Sequence, residues 1–401
     1  MRVLQIFNRY LDRGGEEASV ERISDVLSTR HRIFHCFFDS RQLGNLTSTA
    51  DRLSAAARMA WNPNSAARLS SHCAAVKPDV LLCHNLFPAG TASLLAEASR
   101  LRLPVVNYIH NFRPYSVNGY LWANDRIEPA GLKKNFLPEI FAGSWQGSRA
   151  RTAFYAAILT AMHAAGMFRR IAAWVAISEF VGQKFIEAGV PAGKVHTIPH
   201  SWTPLPSCPP PQDGGYYLFL GRLISAKGVR TLLDAWERIE AQLGDKAPRL
   251  LIGGEGPLAP EVAGRANRSR AVQYLGLVGG TDKAALVQGC RAMLAPSLWW
   301  EGLGLVTYEA YDYGKPMLAA RSGGLTETVR HGITGLLHEP GNSAELASHV
   351  LEIDSSPERR AEMGRQGRQW LLDNTGSDQW LDRFDAVLAS VVRHEPGSVN
   401  R

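Results

Sequence analysis

Two glutamates eight residues apart, Glu301 and Glu309, lie in the stretch Pro296-Ser297-Leu298-Trp299-Trp300-Glu301-Gly302-Leu303-Gly304-Leu305-Val306-Thr307-Tyr308-Glu309-Ala310. On one continuous helix, positions eight apart are offset by about 80° and would not converge. The glycines predict a loop followed by a helix that begins near Gly304. Glu301 then sits in the loop and Glu309 one turn inside the helix. The backbone N–H groups around Gly302, Leu303, Gly304 and Leu305 point out of the helix start, where an anion such as a diphosphate is stabilised. Two carboxylates flanking an anion can accept hydrogen bonds from the hydroxyls of two sugar rings. The plain alternative is a pair of solvated helix glutamates.

Cations to meet such an anion occur in Gly221-Arg222-Leu223-Ile224-Ser225-Ala226-Lys227-Gly228. A guanidinium chelates phosphate oxygens in fork geometry and an ammonium adds a point charge, so Arg222 and Lys227 could stabilise a departing diphosphate. The chain contains no D-x-D pair, the usual carrier of a divalent metal beside a nucleotide. The expectation is therefore positive charge from Arg222 and Lys227, with no metal and no resident cofactor. Near the N-terminus, Gly14-Gly15 opens a helical pattern after an apolar run, a turn that allows close backbone approach to a phosphate or sugar oxygen but that a plain βα turn would also show. Gly254-Glu255-Gly256-Pro257-Leu258-Ala259 matches the dinucleotide pattern G-x-G-x-x-A. The acidic residue that should follow about 20 positions later is missing, where the chain reads Gln273-Tyr274-Leu275-Gly276, and this disfavours a nicotinamide enzyme. His110-Asn111 and His84-Asn85 each close a strand, where cleft residues sit, although a lone histidine is more often structural.

These groups must be positioned by something, and the apolar pattern says what. Short apolar runs alternate with amphipathic stretches throughout, which is the α/β pattern of parallel strands and crossover helices. Strands are expected near 3–7, 33–38, 80–84, 105–110, 174–178 and 195–198. A proline-rich break at 201–211 reads as a stiff linker, and a second series follows near 216–221, 249–253, 272–275, 292–296 and 316–319. The sequence from Pro357 reads as helical to about Val392, with Asp378 as a cap for the last segment. Two doubly wound domains result: 1–200, a linker 201–215, then 216–376.

With 401 residues, 45% hydrophobic and 20% charged, the chain is long enough for two cores and is not of disordered composition. Its first apolar run is too short for a signal peptide, and five scattered cysteines without a C-x-x-C pair suggest neither disulfides nor structural zinc. A cytoplasmic location is expected. Residues 1–200 carry 23 Lys/Arg against 14 Asp/Glu, whereas 201–401 carry 21 against 23, so the positive excess is confined to the first half. That half is expected to meet an anionic partner. The apolar stretch 153–167, between Arg149-Ala150-Arg151 and Arg169-Arg170, could be a helix on a lipid surface or simply core.

Taken together, Gly14-Gly15, His110, Gly221-Arg222 with Lys227-Gly228, Gly254-Glu255-Gly256-Pro257 and Glu301 to Glu309 resemble the retaining GT-B glycosyltransferases of family GT4, especially bacterial enzymes of capsular and exopolysaccharide assembly. The likeness spans nearly the whole chain. It implies two Rossmann-like domains facing across a cleft, an N-terminal acceptor domain and a C-terminal donor domain, with 377–401 returning as a helix to the N-terminal domain. It implies a hexosyltransferase type of activity from a nucleotide diphosphate sugar. In that pattern Arg222 and Lys227 bind the diphosphate, Glu309 holds the ribose and Glu301 the sugar hydroxyls. Glu255 belongs to the donor loop, the segment around Leu275 faces the base, His110 lies beside the transferred sugar, and Gly15 approaches the phosphates. His110 and Glu301 are thus the residues nearest the chemistry, while Asn111 and Arg113 open a stretch to 145 expected to line the acceptor site. His200-Ser201-Trp202 departs from the Asn-Gly often found at that point. The implied partners are a nucleotide sugar and a glycan or lipid-linked glycan, with peripheral contact to an anionic membrane and no nucleic acid. A nucleotide-sugar 2-epimerase, or a protein that binds sugar nucleotides without turnover, are the other readings.

Overall fold

The computed structural model describes residues 1–9, 15–40, 48–210 and 212–393. Its contacts divide the chain into two compact units, one of residues 1–121, 128–201 and 377–401, the other of 122–127 and 202–376.

Along the chain come strands β1 (Arg2–Arg9), β2 (Arg32–Asp39), β3 (Val80–Cys83), β4 (Val105–Ile109), the short hairpin β5 (Trp122–Ala123) and β6 (Arg126–Ile127), then β7 (Ala173–Ala176) and β8 (Val195–Thr197). The hairpin groups with the second unit. The other six form the first unit's parallel sheet in the order β2-β1-β3-β4-β7-β8. Every residue of β3 and of β7 is buried, as expected of parallel strands covered on both faces. The helix Gly15–Ser28 follows β1 and buries Val20, Ile23, Val26 and Leu27, the helical spacing read from the sequence. Strand order reverses between β1 and β3, so loops leave their carboxyl ends in opposite directions and open a crevice there.

The helix Arg149–Ala164, begun by Ser148 Oγ accepting from Arg151 N at 3.3 Å, buries Tyr155, Ile158, Leu159 and Met162. Most of its apolar side chains are therefore core, and only Phe154 among its large ones is exposed. The helix Ser377–Arg393 belongs to the first unit and buries Trp380, Leu381, Phe384, Val387 and Leu388. Asp378 falls inside its first turn instead of preceding it. Asp385 accepts from His31 Nε2 at 2.7 Å, and Arg30 donates to Asp382 at 2.6 Å. No helix among the described residues is long and apolar enough to cross a membrane.

The second unit holds β9 (Tyr216–Leu220), β10 (Arg249–Gly253), β11 (Val272–Gly276), β12 (Met293–Ala295), β13 (Met317–Ala320) and β14 (Gly335–His338), all parallel in the order β11-β10-β9-β12-β13-β14. This is the doubly wound order 3-2-1-4-5-6. Its core includes Val229, Leu232, Trp236 and Ile239, one face of the helix Val229–Leu243, packed with Leu250, Ile252 and Leu294 of the sheet. β14 is absent from the sequence reading because Gly335-Leu336-Leu337-His338 is short and glycine-led, too brief to show a period. The proline-rich stretch expected as a spacer is fastened to this unit. Trp202 Nε1 and Leu205 N donate to the two oxygens of Asp312 at 3.0 and 2.9 Å, Trp202 N donates to Thr375 O at 2.9 Å, and Arg368 pairs with the same Asp312.

Candidate functional site

In the second unit the strand order reverses between β9 and β12, so the crevice is edged by the loops 221–228 and 296–304. Those loops are stitched together. Leu298 N donates to Ala226 O at 2.9 Å, and a Cβ on Gly228, whose φ is +70°, would overlap the carbonyl oxygen of Pro296. The contact brings Lys227 Nζ within 2.7 Å of Glu301 Oε1, an oxygen that also accepts from Ser297 Oγ at 2.5 Å. Both cations lie near the indole of Trp299, with Arg222 Cζ 5.4 Å and Lys227 Nζ 5.1 Å from the ring centre. Glu301 is buried. Burial alone would push its carboxyl up, but the Lys227 charge, then the hydrogen bonds from Lys227 and Ser297, outweigh burial and hold it below the ordinary value.

The helix Leu305–Asp312 begins after Gly304, which has φ +83°, and no side chain caps it. Its first turn carries no acid, so nothing there repels an anion. Glu309 lies one turn in and accepts from Lys283 Nζ at 2.7 Å; this lysine stands on the helix Gly280–Gly289. Neither Ser297 nor Lys283 carries a signal in the sequence. Ser297 precedes Glu301 by four residues without a recognisable motif, and Lys283 reads locally as a surface helix lysine.

Glu255 is exposed, and its carbonyl accepts from Leu223 N at 2.8 Å. A Cβ on Gly254 would overlap the carbonyl oxygen of Gly221. The dinucleotide-like glycines thus let the loop after β10 lie against the loop that carries Arg222. Leu275 sits at a register shift: Ile252 pairs with Tyr274 and Gly253 with Gly276, leaving Leu275 as the extra residue of a bulge at the end of β11.

In the first unit, the half-buried His110 ends a chain of polar side chains that starts at the buried Gln5 and His84. Gln5 Nε2 donates both to Val20 O at 3.2 Å, which fixes the amide's orientation, and to His84 Nε2 at 2.8 Å. His84 must then carry its proton on Nδ1, which lies 2.9 Å from His110 Nε2. By the same logic His110 carries its own proton on Nδ1 and presents a neutral donor. His200 stacks 5.8 Å from His110, and its Nδ1 is 3.2 Å from the Tyr108 hydroxyl. Burial lowers His110 to about 3 and leaves His84 and His200 well below the ordinary histidine value.

Asn111 Nδ2 donates to Glu16 at 3.1 Å, and Asn111 Oδ1 accepts from Arg113 N at 3.0 Å. Gly15 starts the helix that bears Glu16, with open space around it. Gly14 lies outside the described residues. Beyond Arg113 the chain wraps around Glu139, a carboxylate 1% exposed that accepts from Ser116 Oγ and Val117 N, each at 2.9 Å. The stretch expected to line the acceptor site is therefore built around one buried acid. Arg222, Lys227, Glu255, Leu275, Glu301 and Glu309 all lie in the second unit, and Gly15, His110, Asn111 and Arg113 in the first.

Similarity to known proteins agrees with these two units. The Anabaena protein HepE, solved in complex with UDP, superposes with a TM-score of 0.65 at 18% identity, covering 97% of this chain and all of that one. The fold is GT-B. The model of Glycosyltransferase Family 4 matches residues 13–201 and that of Glycosyl transferases group 1 matches 206–370, so the chain belongs to the group 1, family 4 glycosyltransferases. Among curated relatives, the D-rhamnosyltransferase WbpZ of Pseudomonas aeruginosa is 35% identical over 37% of this chain and 39% of its own length. A GDP-mannose-dependent alpha-(1-6)-phosphatidylinositol monomannoside mannosyltransferase of Mycobacterium tuberculosis is 32% identical over 43% of this chain and 46% of its own length. Each match spans less than half of the relative.

Proposed function

We propose that this protein is a metal-independent, retaining glycosyltransferase that moves a hexose from a nucleoside diphosphate sugar to a hydroxyl of a lipid-linked glycan during polysaccharide assembly. The observation that carries the donor reading is the second unit's switch-point crevice, where Arg222, Lys227, Glu301 and an uncapped helix start converge. The sugar-nucleotide names among the relatives, and the UDP bound by the Anabaena protein, support the same class of donor.

In this reading the diphosphate lies over the start of the helix Leu305–Asp312, with Arg222 and Lys227 as its counter-charges. Glu309 accepts from the ribose and Glu301 from hydroxyls of the sugar. As the bond from the anomeric carbon to the diphosphate breaks, the acceptor oxygen attacks from the same face. Its proton passes to the departing phosphate oxygen, so no protein base is needed, and the cations stabilise charge that grows only in the transition state. His110, neutral with a donor on Nδ1, suits a hydrogen bond to the transferred sugar better than a countercharge would. The acceptor is assigned from the basic excess of residues 1–200.

The first test is thermal-shift screening against UDP-, GDP- and ADP-sugars in the presence of a chelator. One base should stabilise the protein selectively, and Glu309→Ala should shrink that shift. A shift that appears only with added divalent metal would overturn metal independence. Product stereochemistry read by NMR should show the donor's anomeric configuration, and inversion would overturn the retaining mechanism.

A further inference from the structure

The edge of the second sheet opposite the switch-point crevice carries a cavity of about 340 Å³. It lies at the amino ends of the adjacent strands β9, β12 and β13, where Asp213, Arg291 and Lys315 each stand shortly before a strand begins. Ligands of open α/β sheets bind at the carboxyl ends, so the donor reading makes no use of this place. Its walls are lopsided in charge. Arg291, Lys315, Arg360, Arg365 and Arg368 line it, and Asp213 is the one acid among the described lining residues.

The four arginines already have counter-charges. Arg291 donates to Asp213 Oδ1 at 2.8 Å and to Asp354 at 2.6 Å, and Arg360 donates to Asp213 Oδ2 at 2.9 Å. Asp213 Oδ1 also accepts from Gly215 N at 2.8 Å, so both of its oxygens are engaged. Arg368 pairs with Asp312 and Arg365 with Glu362. Lys315 is left over. It is only 7% exposed, yet among the described residues its ammonium meets no carboxylate and donates to a single acceptor, Gln212 O at 2.9 Å. Two of its three N–H groups are therefore unspent. Buried lysines are almost always paired, because a charge held out of water without a counter-ion is costly. Burial accordingly pushes Lys315 below the ordinary lysine value.

The remaining walls suit a small organic anion. Pro209, Tyr313, Pro316 and Pro357 give apolar surface beside the cations. Arg365 is the most exposed of the five, its side chain 69% accessible, and its pair with Glu362 of the same helix is screened by solvent and readily exchanged for a ligand. We propose that this cavity is a phosphate-binding site: the two unspent N–H groups of Lys315 and the guanidinium of Arg365 hold the phosphate, and the proline and tyrosine walls cover the organic part of a small phosphate monoester. The site is separate from the donor crevice and does not depend on the reaction proposed there.

The test is calorimetric titration of the full chain with ribose 5-phosphate and with inorganic phosphate, in the absence of nucleotide sugar. Ribose 5-phosphate should bind, and Lys315→Met should weaken it about tenfold or more, the loss of a charged hydrogen-bonding group. Ala361 lines the cavity from the helix Pro357–Asn374 and is exposed, so Ala361→Glu should keep the fold while weakening binding about fivefold through like-charge repulsion. Arg222→Ala, in the donor crevice, should leave this affinity unchanged. Tighter binding of ribose 5-phosphate than of inorganic phosphate would assign the site to a monoester, and equal binding to free phosphate; either meets the proposal. No binding of either anion, or an affinity unchanged in both Lys315→Met and Ala361→Glu, would overturn it. So would loss of binding in Arg222→Ala, which would put the phosphate in the donor crevice instead.

Discussion

At the scale of single residues, the pairing of Lys227 with Glu301 sets the sharpest expectation. Removing one partner of a largely buried ion pair leaves an uncompensated charge, whereas neutralising both does not. Lys227→Ala should therefore destabilise the second unit by about 3 kcal/mol, while Lys227→Met combined with Glu301→Gln should recover most of that loss in urea unfolding, with transfer activity absent from both. Additive losses in the double variant would show that the pair does not act as a unit. Arg222 is exposed, so Arg222→Ala should depress turnover with little change in unfolding; full activity would remove it from the donor site. Glu309 should contribute about 1.5–3 kcal/mol to nucleotide affinity through charged hydrogen bonds, a loss of roughly ten- to a hundredfold in Glu309→Ala by calorimetry. Lys283→Ala should weaken affinity less, since Lys283 only orients Glu309.

At the scale of elements, the site exists because two loops at one switch point share backbone contacts. Gly228→Ala tests this directly. Its added methyl has no room beside Pro296 O, so the loops must part, and both stability and nucleotide binding should fall together, in contrast to Arg222→Ala. What sequence could and could not reveal follows the same line. Eleven of the twelve strands in the two large sheets were legible, because buried parallel strands are short unbroken apolar runs; β14 was not, because a glycine-led run of four has no period to read. The loop before Gly304 and the helix after it were legible from Gly302 and Gly304. The partners Ser297 and Lys283 were not, since they meet their glutamates through tertiary packing that leaves no local signature. The fastening of the proline-rich stretch leaves no local mark for a related reason: proline content predicts stiffness, but the anchors are the distant Asp312 and Arg368.

At the scale of the whole molecule, the two units should respond differently to acid. His84, His110 and His200 are held neutral by burial, so the unfolded chain binds more protons than the folded one below the ordinary value of 6.5. Stability of the first unit should then fall as pH drops from 6.5 toward 3, by about 1.4 kcal/mol per pH unit for His110 alone. Glu301 has the opposite origin, a carboxyl held low, and its contribution to the second unit is present above 4.5 and lost only as pH falls through its lowered value. Hydrogen exchange at pH 5.5 should show the first unit opening before the second, and His110→Asn should flatten that dependence; simultaneous opening would mean that the histidines do not set it. The units also differ in how the chain supplies them. The second, apart from the hairpin 122–127, is one continuous run from 202 to 376, whereas the first needs residues from both ends, including the core side chains of the helix Ser377–Arg393. A ribosome therefore delivers nearly everything the later unit requires before it delivers the last piece of the earlier one. The domain made first is the one completed last, and a nascent chain stalled near 376 would expose the apolar bed meant for Trp380, Phe384 and Leu388 to chaperones.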